Sequence, residues 1–458
     1  MFAPGSGVHF IGVGGAGMSA IAKVILERGC RVSGSDLKRS RAATILEAMG
    51  ASVHIGHEAS LIDKYRPEFV VASSAIPRSN PELVRAGELS LRVVSRGEAL
   101  AGVLDGSRSI VVAGTHGKTT TTSMIVSIAS SSGLNPTYLV GGGLNDVGTN
   151  ARSGTDDLAV AESDESDGSF LLLSPHIAVV TNVEADHLDY WKSGDEVTKA
   201  FEHFLVRVDP DGAIVLPLGS EELAAPAAGL GARLVTFGAA GTVRAESVTV
   251  TGSSSSFVLV SPDGRAQTTL RVPGMHNVAN ATAAAAACLE AGLSLDQVAT
   301  GLESYRGVER RFQIRGEAGG VTVIDDYAHH PTEVKATLSA ARPGPWSRVV
   351  AVFQPHRYSR TKAFHEAFGA SFADADRVVV TDVYGAGEQP EPGVNGKLIA
   401  DSVCRHLPGR PVAYLPHRAD LAAYLEGIAR PGDAVMTLGA GDITTLGDEI
   451  LQRLGARR

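Results

Sequence analysis

The chain has 458 residues, 20% of them charged, with a formal net charge of −9 and only three cysteines, Cys30, Cys288 and Cys404. The net negative charge and the absence of a Lys/Arg block argue against binding to a nucleic acid. No stretch reaches the roughly 18 apolar residues that a membrane span needs. The cysteines are too few and too far apart for a disulfide framework or a thiolate zinc site. We therefore expect a cytoplasmic protein of about three domains, at roughly 150 residues per domain, that binds neither nucleic acid nor membrane.

The first hundred residues alternate short apolar runs with helical stretches. The runs are "VHFIGV", "RVSGSD" and "FVVASSA", and the first helix is expected from about Ala16 to Arg28. This rhythm is typical of a parallel sheet whose strands are connected by crossover helices.

The turn "GVGGAG" after the first run matches the G-x-G-x-x-G fingerprint through Gly12, Gly14 and Gly17, with Asp36 at the end of the next run. Glycines let a backbone approach a diphosphate, and a helix N-terminus presents about half a unit of positive charge to it. The turn therefore predicts a diphosphate ligand. A tight strand–helix turn with no ligand and an NAD-dependent oxidoreductase remain alternatives, although the second leaves the rest of the chain without a role.

A second strand–turn–helix unit, "IVVAGTHGKTTTT", follows a polar break at "DGSRS". Its loop departs from the Walker spacing because Val112 stands where the first glycine belongs, so that only Gly114 and Gly117 frame the turn. Lys118 is expected to meet the β- and γ-phosphates of a nucleotide, and Thr119 a Mg²⁺ ion. A nucleotide-gated binding or motor protein would fit this loop but not the earlier glycine turn.

Acidic side chains stand at the ends of the next two predicted strands. Glu162 ends the run in "DLAVAES", and Asp186 and His187 follow "IAVVTNV". Strand ends beside a phosphate loop are where further metal ligands belong. We therefore expect metal binding here rather than merely solvated acidic loops.

The pattern changes between about 212 and 272, where polar and apolar residues alternate around Gly and Asp-Gly turns and predict antiparallel hairpins. The run "NATAAAAACLEAG" then predicts a buried helix that ends at Gly292. In "HNVAN", Asn277 precedes this run and Asn280 begins it, and both are candidate helix N-caps.

A third α/β rhythm contains the strands of "VTVIDDYAHHP", "RVVAVFQPHR", "RVVVTDVYGAG" and "AVMTLGAGD". Two of these end in clusters that contain His329, His330, His356, Arg357 and Arg360. Such clusters suggest a pocket for an anion such as a carboxylate. The spacing of the two adjacent histidines does not match the ligand spacing of a closed zinc site.

Together these patterns predict an α/β fold of three domains. A Rossmann-like parallel sheet is expected in 1–107, and a P-loop ATPase-like α/β domain with an antiparallel hairpin region in 108–313. A second Rossmann-like α/β domain is expected in 314–458.

The chain resembles the muramyl ligase family over essentially all its length. The motifs that carry the resemblance occur in that family's order: "GVGGAGMSAIA", "GTHGKTTTT", "ESDESDGSF", "TNVEADHLD", "HNVANATAA", "RRFQ", "DDYAHHPTE", "FQPHRYSR" and "GAGDIT". The resemblance implies an ADP-forming ligase of peptidoglycan precursor synthesis that uses ATP and Mg²⁺, as a monomer or homodimer. The implied reaction joins L-alanine to the lactyl carboxylate of UDP-N-acetylmuramate through an acyl phosphate. A related branch attaches a murein tripeptide instead, and "FQPHRYSR" favours alanine.

The resemblance also implies the residues of each site. Contacts to the UDP-sugar are expected from Gly14, Gly15, Ala16, Gly17, Ser35, Asp36, His54, Ser73 and Ser74. Contacts to ATP are expected from Gly114, Thr115, His116, Gly117, Lys118, Thr119, Thr120, Asn277, Asn280, Arg311 and Asp326. The metal ligands would be Thr119, Glu162 and His187, and the catalytic residues Lys118, Glu162 and His187. The amino acid would be held by Tyr327, His329, His356, Arg357 and Arg360.

Overall fold

The computed structural model describes residues 1–73, 75–145, 148–186 and 188–456. They form two compact units. The first comprises Met1–Glu246, Val258–Thr268 and Ala279–Tyr305, and the second Ser247–Phe257, Thr269–Val278 and Arg306–Arg458. Among the described residues, no helix combines the length and the apolar character needed to cross a bilayer.

Five parallel strands and five helices alternate at the start of the first unit. The three apolar runs correspond to β1, β2 and β4, and the predicted parallel sheet with crossover helices is confirmed. The strand order in the sheet is β3-β2-β1-β4-β5. The strands are β1 Gly7–Ile11, β2 Arg31–Asp36, β3 Ser52–Ile55, β4 Phe69–Ala72 and β5 Arg92–Ser95. The helices are α1 Ala16–Glu27, α2 Arg41–Ala48, α3 Ala59–Tyr65, α4 Pro81–Glu88 and α5 Arg96–Leu104.

Local sequence signals set several of these helix starts. Asn80 accepts hydrogen bonds from the first turn of α4, whose first residue is Pro81. A capping box of Ser95 and Glu98 begins α5. The central strand β1 is buried along its whole length, which is typical of a parallel sheet covered on both faces.

A seven-stranded sheet follows, in the order β12-β11-β10-β6-β9-β7-β8. Its strands are β6 Arg108–Ala113, β7 Thr137–Leu139, β8 Ala151–Arg152, β9 Leu158–Glu162, β10 Ile177–Val180, β11 Ala213–Pro217 and β12 Arg233–Phe237. The helices of this region are α6 Lys118–Ser131, α7 Leu188–Trp191 and α8 Gly194–Leu205. All its pairs are parallel except β7 with β8, so the carboxyl ends of β10, β6 and β9 meet at one edge.

The expectation of antiparallel hairpins from about residue 212 is wrong for its first part. Strands β11 and β12 pair in parallel, and β11 also pairs in parallel with β10. A separate three-stranded sheet of order β13-β14-β15 comes later, formed by β13 Arg244–Val250, β14 Ser255–Ser261 and β15 Gly264–Leu270. Two helices follow it, α9 Met275–Glu290 and α10 Leu295–Ser304. Ala281 and the five alanines 283–287 of α9 are fully buried, as the Ala-rich run predicts.

The second unit contains a six-stranded sheet of order β16-β17-β21-β18-β19-β20. Its pairs are parallel except β16 with β17. The strands are β16 Gln313–Ala318, β17 Val321–Asp326, β18 Arg348–Phe353, β19 Arg377–Val380, β20 Val412–Tyr414 and β21 Asp433–Leu438. The helices are α11 Pro331–Ala341, α12 Tyr358–Ser371, α13 Gly396–His406, α14 Leu421–Ile428 and α15 Leu446–Gly455.

Candidate active site

The phosphate loop joins β6 to α6 at the carboxyl edge of the seven-stranded sheet. Gly114 and Gly117 have φ values of +127° and +80°, in the region that favours glycine. A methyl group at Gly114 would overlap the hydroxyl of Thr181, and one at Gly117 would overlap the side-chain oxygen of Asn280. The loop therefore requires glycine at both positions, although Val112 occupies the first Walker position.

The tip of the loop is held by residues that follow β10. The backbone N–H of His116 donates to Oδ1 of Asn182 at 2.9 Å. The carbonyl oxygen of His116 accepts from Nδ2 of Asn182 at 3.0 Å and from Oγ1 of Thr181 at 2.5 Å. The hydroxyl of Thr115 accepts from the backbone N–H of Glu184 at 2.9 Å. These bonds fix the loop backbone from the neighbouring strand.

Lys118 begins α6, and its ammonium group turns back over the loop. Nζ donates to the carbonyl oxygens of Gly114 and Thr115, at 2.6 and 3.1 Å, and to Oε2 of Glu165 at 2.8 Å. Burial disfavours the charged form, but nearby carboxylates, Glu165 first, outweigh burial and raise the pKa of Lys118. The lysine is therefore a permanent positive charge over the loop. Thr120, two residues along the helix, is buried.

Thr119 and Glu162 supply oxygen atoms suited to a hard cation. Oγ1 of Thr119 donates to Oε1 of Glu162 at 2.8 Å, and the N–H of Gly141 donates to Oε2 at 2.6 Å. Glu162 ends β9, which pairs with β6, so strand pairing brings the carboxylate to the loop. Hydroxyl and carboxylate oxygens are typical Mg²⁺ ligands, and the pair fits the implied ion. The third expected ligand, His187, and the expected sugar-nucleotide contact Ser74 lie outside the described residues.

The two asparagines of "HNVAN" lie inside α9 and do not cap it, so the interpretation as N-caps is wrong. The helix begins at Met275, directly after a glycine with a φ of +107°, which is earlier than the Ala-rich run suggests. Nδ2 of Asn277 donates to the carbonyl oxygen of Pro273 at 2.7 Å. Asn280 lies beside Gly117 of the phosphate loop.

The glycine turn of the first sheet leads from β1 into α1. The N–H of Gly14 donates to Oδ2 of Asp36 at 2.9 Å, so this carboxylate contacts the turn itself. A methyl group at Gly14 would lie 2.8 Å from Oγ of Ser40, and one at Gly17 would lie 3.1 Å from a guanidinium nitrogen of Arg96. The side chains of Ser40 and Arg96 therefore leave little room for a residue larger than glycine at these two positions.

The start of α1 keeps the backbone geometry expected of a diphosphate site. Gly12 has a φ of +84°, and Gly15 precedes the helix without any side-chain cap. Ala16 is the first helical residue, and the first turn contains no acidic side chain. The first turn of α1 therefore adds no carboxylate at the helix N-terminus, whereas Asp36 of β2 contacts the turn at Gly14.

Ser35, expected to contact the UDP-sugar, belongs to a buried polar network. Its hydroxyl donates to Oε2 of Glu82 at 2.9 Å and lies 2.9 Å from Nδ1 of His57. Oε2 of Glu82 also lies 2.7 Å from Nε2 of His9, and both of these side chains are fully buried. The network holds α4 against β1 and β2 at the sheet interior.

Two further residues of the expected sugar-nucleotide site have local partners. Nε2 of His54 lies 2.7 Å from the hydroxyl of Tyr65. Oγ of Ser73 accepts from the backbone N–H of Ala75 at 3.4 Å, and its Cβ lies beside Gly12 of the glycine turn. Their contacts to a sugar nucleotide stay predictions.

Four of the five residues expected to hold the amino acid form a contiguous group in the second unit. The rings of Tyr327 and His329 have centroids 5.2 Å apart, and those of His329 and His356 lie 5.7 Å apart. A guanidinium nitrogen of Arg360 lies 3.5 Å from Nδ1 of His356. Arg357 precedes α12 with a φ of +68°. The strand ends of β17 and β18 therefore bring the two histidine- and arginine-rich clusters together.

The two imidazoles of this group are neutral at physiological pH. Burial lowers the pKa of His329 to about 4, against the opposing effect of Glu333. Burial, together with His329 and Arg360, lowers the pKa of His356 to about 3. The local positive charge is therefore supplied by arginine and not by imidazolium.

The two expected nucleotide contacts of the second unit, Asp326 and Arg311, have partners within it. Asp326 accepts backbone N–H bonds from Phe312 at 2.7 Å and from Ala328 at 2.8 Å. Burial raises the pKa of Asp326 to about 6. The guanidinium of Arg311 lies 5.2 Å from the centroid of the Tyr327 ring. Their contacts to ATP stay predictions.

The structure also identifies site neighbours that the sequence patterns did not single out. Glu165 lies in "ESDESD", three residues past the end of β9, whereas the strand-end rule selects Glu162. Asn182 lies two residues past β10, so the same rule could have found it. Arg96 and Glu333 have no such signal. Glu333 accepts hydrogen bonds from the backbone N–H groups of residues 329 and 330, directly before α11.

Comparison with known proteins identifies the family. Three family models match successive parts of the chain: the Mur ligase family catalytic domain over residues 7–108, the Mur ligase middle domain over 112–288, and the Mur ligase glutamate ligase domain over 310–441. The UDP-N-acetylmuramate–L-alanine ligase of Rubrobacter xylanophilus is 48% identical, over 98% of this chain and 100% of the relative. That of Desulforamulus reducens is 46% identical, over 98% and 97%.

Solved structures agree with these relatives. The UDP-N-acetylmuramate–alanine ligase of Thermotoga maritima superposes with a TM-score of 0.82 at 30% identity, covering 99% of this chain and 100% of that one. A murein peptide ligase of Psychrobacter arcticus gives a TM-score of 0.71 at 25% identity, covering 98% and 99%. The three-domain α/β fold is confirmed, and the chain belongs to the Mur ligase family.

Proposed function

We propose that the chain is an ADP-forming ligase that joins L-alanine to the lactyl carboxylate of UDP-N-acetylmuramate in peptidoglycan precursor synthesis. The observation that carries the proposal is the phosphate loop, where Lys118 lies over the loop and Glu162 meets Thr119. Full-length relatives named for this ligation support the choice of substrates. The murein peptide ligase is the second candidate, because its structure also matches over the whole chain.

The chemistry begins with activation of a carboxylate, because oxide is too poor a leaving group for direct attack by an amine. A carboxylate oxygen attacks the γ-phosphorus of ATP, which gives an acyl phosphate and ADP. The uncharged amine of alanine then attacks the acyl carbon. The tetrahedral intermediate collapses with loss of inorganic phosphate, which carries away the oxygen that bridged carbon and phosphorus.

Residues of the phosphate loop stabilise the charge that moves during this transfer. The permanent charge of Lys118 neutralises the transferring phosphoryl group, and preorganised charges of this kind supply much of the catalysis in phosphoryl transfer. Thr119 and Glu162 would hold Mg²⁺, which supplies further positive charge to the phosphates when it is bound. Asn277, Asn280, Arg311 and Asp326 are proposed for the remainder of the nucleotide.

The glycine turn is proposed to hold the diphosphate of the sugar nucleotide. An uncapped helix start with no acidic residue in its first turn supports this assignment. The relatives are named for ligation of a UDP-sugar, which favours a sugar nucleotide over NAD as the ligand of this turn.

The histidine–arginine group of the second unit is proposed to hold the amino acid. Arg357 and Arg360 would pair with its carboxylate. His329 and His356 are neutral at physiological pH, so they would not repel the ammonium group that must lose a proton before attack. The three cysteines are free thiols, which supports action in the reducing cytoplasm. Assembly as a monomer or homodimer is the accompanying expectation.

A phosphate-release assay tests the proposal. The enzyme is mixed with ATP, Mg²⁺ and UDP-N-acetylmuramate, and then with a panel of amino acids or the murein tripeptide. Release that requires both the sugar nucleotide and L-alanine supports the alanine ligase. Preference for the tripeptide would support the second candidate, and release without any amino acid would contradict both.

A further inference from the structure

The ammonium group of Lys118 has a full set of hydrogen-bond acceptors within the protein. An ammonium group has three N–H donors. Its three acceptors are the carbonyl oxygens of Gly114 and Thr115, at 2.6 and 3.1 Å, and Oε2 of Glu165 at 2.8 Å. Lys118 can therefore donate to a phosphate oxygen only after one of these acceptors has been displaced.

Glu165 is the acceptor that a phosphate should displace. The two carbonyl oxygens are neutral and belong to the loop that would surround the phosphate. The carboxylate of Glu165 carries the same sign of charge as the phosphate and competes with it for the same cation. The exposed fractions of the Glu165 and Lys118 side chains are 2% and 13%, so water screens this competition poorly.

The segment 163–169, which we call the acidic loop, is anchored at Glu165 and at two residues that follow it. The indole N–H of Trp191 donates to the carbonyl oxygen of Glu165 at 2.9 Å. A guanidinium nitrogen of Arg96 donates to Asp167 at 2.9 Å and to Ser169 at 3.1 Å. These anchors allow the Glu165 side chain to release Lys118 while the acidic loop keeps its place.

We propose that Glu165 is a positioning residue that acts through Lys118. It holds the lysine over the phosphate loop before ATP binds, releases it to the phosphates of ATP, and binds it again as ADP leaves. The inference rests on the proposed ATP-dependent function of the loop. Its consequence is that Glu165 weakens nucleotide binding and speeds the release of product.

The first test is calorimetric titration of the full chain with ADP in EDTA, which excludes any effect through a bound metal. Glu165→Gln keeps an acceptor oxygen but removes the charge. ADP should bind on the order of tenfold more tightly to this variant, with slower dissociation in stopped-flow measurements of Trp191 fluorescence. Unchanged or weaker binding by a variant with a normal thermal midpoint would overturn the proposal.

A double-mutant cycle separates the exchange of Lys118 from simple repulsion of ADP by a negative charge. The gain from Glu165→Gln should shrink strongly in a Lys118→Ala background, because no lysine is left to exchange. A gain that persists undiminished there would overturn the positioning role. Asp157→Asn is the matched control, since it removes an exposed carboxylate before β9 and should leave the ADP affinity unchanged. If the unmodified chain binds no ADP with or without Mg²⁺, the proposed function itself fails, which is a distinct result.

Discussion

At the scale of single residues, Lys118 bears most directly on the chemistry. Lys118→Ala removes a positive charge that lies over the phosphate loop, and loss of a single donor to a developing oxyanion costs about 3 kcal/mol. We expect kcat/KM for ATP to fall by roughly 100- to 1,000-fold. Steady-state kinetics measure this loss, with the exposed Lys397→Ala as a control that keeps normal rates. Near-normal turnover of Lys118→Ala would contradict the assignment.

Glu162 should determine the requirement for Mg²⁺. Glu162→Gln keeps a hydrogen-bond acceptor for Thr119 but loses the charge that a hard cation prefers. The Mg²⁺ concentration for half-maximal activity should rise by on the order of tenfold or more, because a charged ligand is lost. EDTA should abolish the activity of the unmodified enzyme. An unchanged Mg²⁺ titration in Glu162→Gln would remove this residue from the metal site.

The sequence predicts these site residues where a single local rule applies. Lys118 follows from loop spacing and Glu162 from its position at a strand end. Glu165 could not be distinguished in this way, because its importance comes from a contact across 47 positions of the chain. The expected contact of Ser35 with the UDP-sugar stays a prediction, whereas the contacts of its hydroxyl with Glu82 and His57 had no local sequence signal. Which atoms a side chain meets depends on packing that no local pattern encodes.

At the scale of elements, the phosphate loop needs glycine at position 114 both for its positive φ and for the lack of space around it. Gly114→Ala adds a methyl group that overlaps Thr181 at a φ of +127°, whereas Gly133→Ala has a comparable φ of +87° with open space around it. Both substitutions strain the backbone by about 1 kcal/mol or more. Only Gly114→Ala should also weaken ADP binding, by at least tenfold in calorimetry. Equal ADP affinities for the two variants would show that the clash is tolerated.

The elements themselves are predicted best where they are long or fully buried. Strands β1, β6, β10 and β17 appear as apolar runs in the sequence. Strands β3 and β5 have few buried residues and were not identified. The parallel pairing of β11 with β10 was missed, because strand pairing depends on contacts between residues that are distant in sequence. The local alternation of polar and apolar residues does not report those contacts. The domain boundaries at 107 and 313 stay predictions.

At the scale of the whole molecule, three partly buried histidines should make the second unit sensitive to acid. The pKa values of His276, His329 and His356 are lowered by burial to about 4, about 4 and about 3. From pH 6.5 to about 4 the unfolded chain binds more protons at these sites, so the free energy of unfolding falls as the pH falls. Asp326, whose pKa is raised to about 6, opposes this trend with a single proton.

The net loss should appear as a lower denaturation midpoint at pH 5 than at pH 7. Urea unfolding followed by Trp346 fluorescence in a Trp191→Phe background reports on the second unit, because these are the only tryptophans in the chain. His329→Gln should flatten the pH dependence by removing one of the three groups. A midpoint that rises toward pH 5 would contradict the burial of neutral imidazoles.

The proposed reaction makes an isotopic prediction for the intact enzyme. UDP-N-acetylmuramate labelled with ¹⁸O in both oxygens of its lactyl carboxylate is turned over with ATP, Mg²⁺ and L-alanine, and the released phosphate is analysed by mass spectrometry. Attack of the carboxylate on the γ-phosphorus predicts one ¹⁸O atom in each phosphate, and the other in the new amide. Release of unlabelled phosphate at the same rate as amide formation would contradict the acyl-phosphate route.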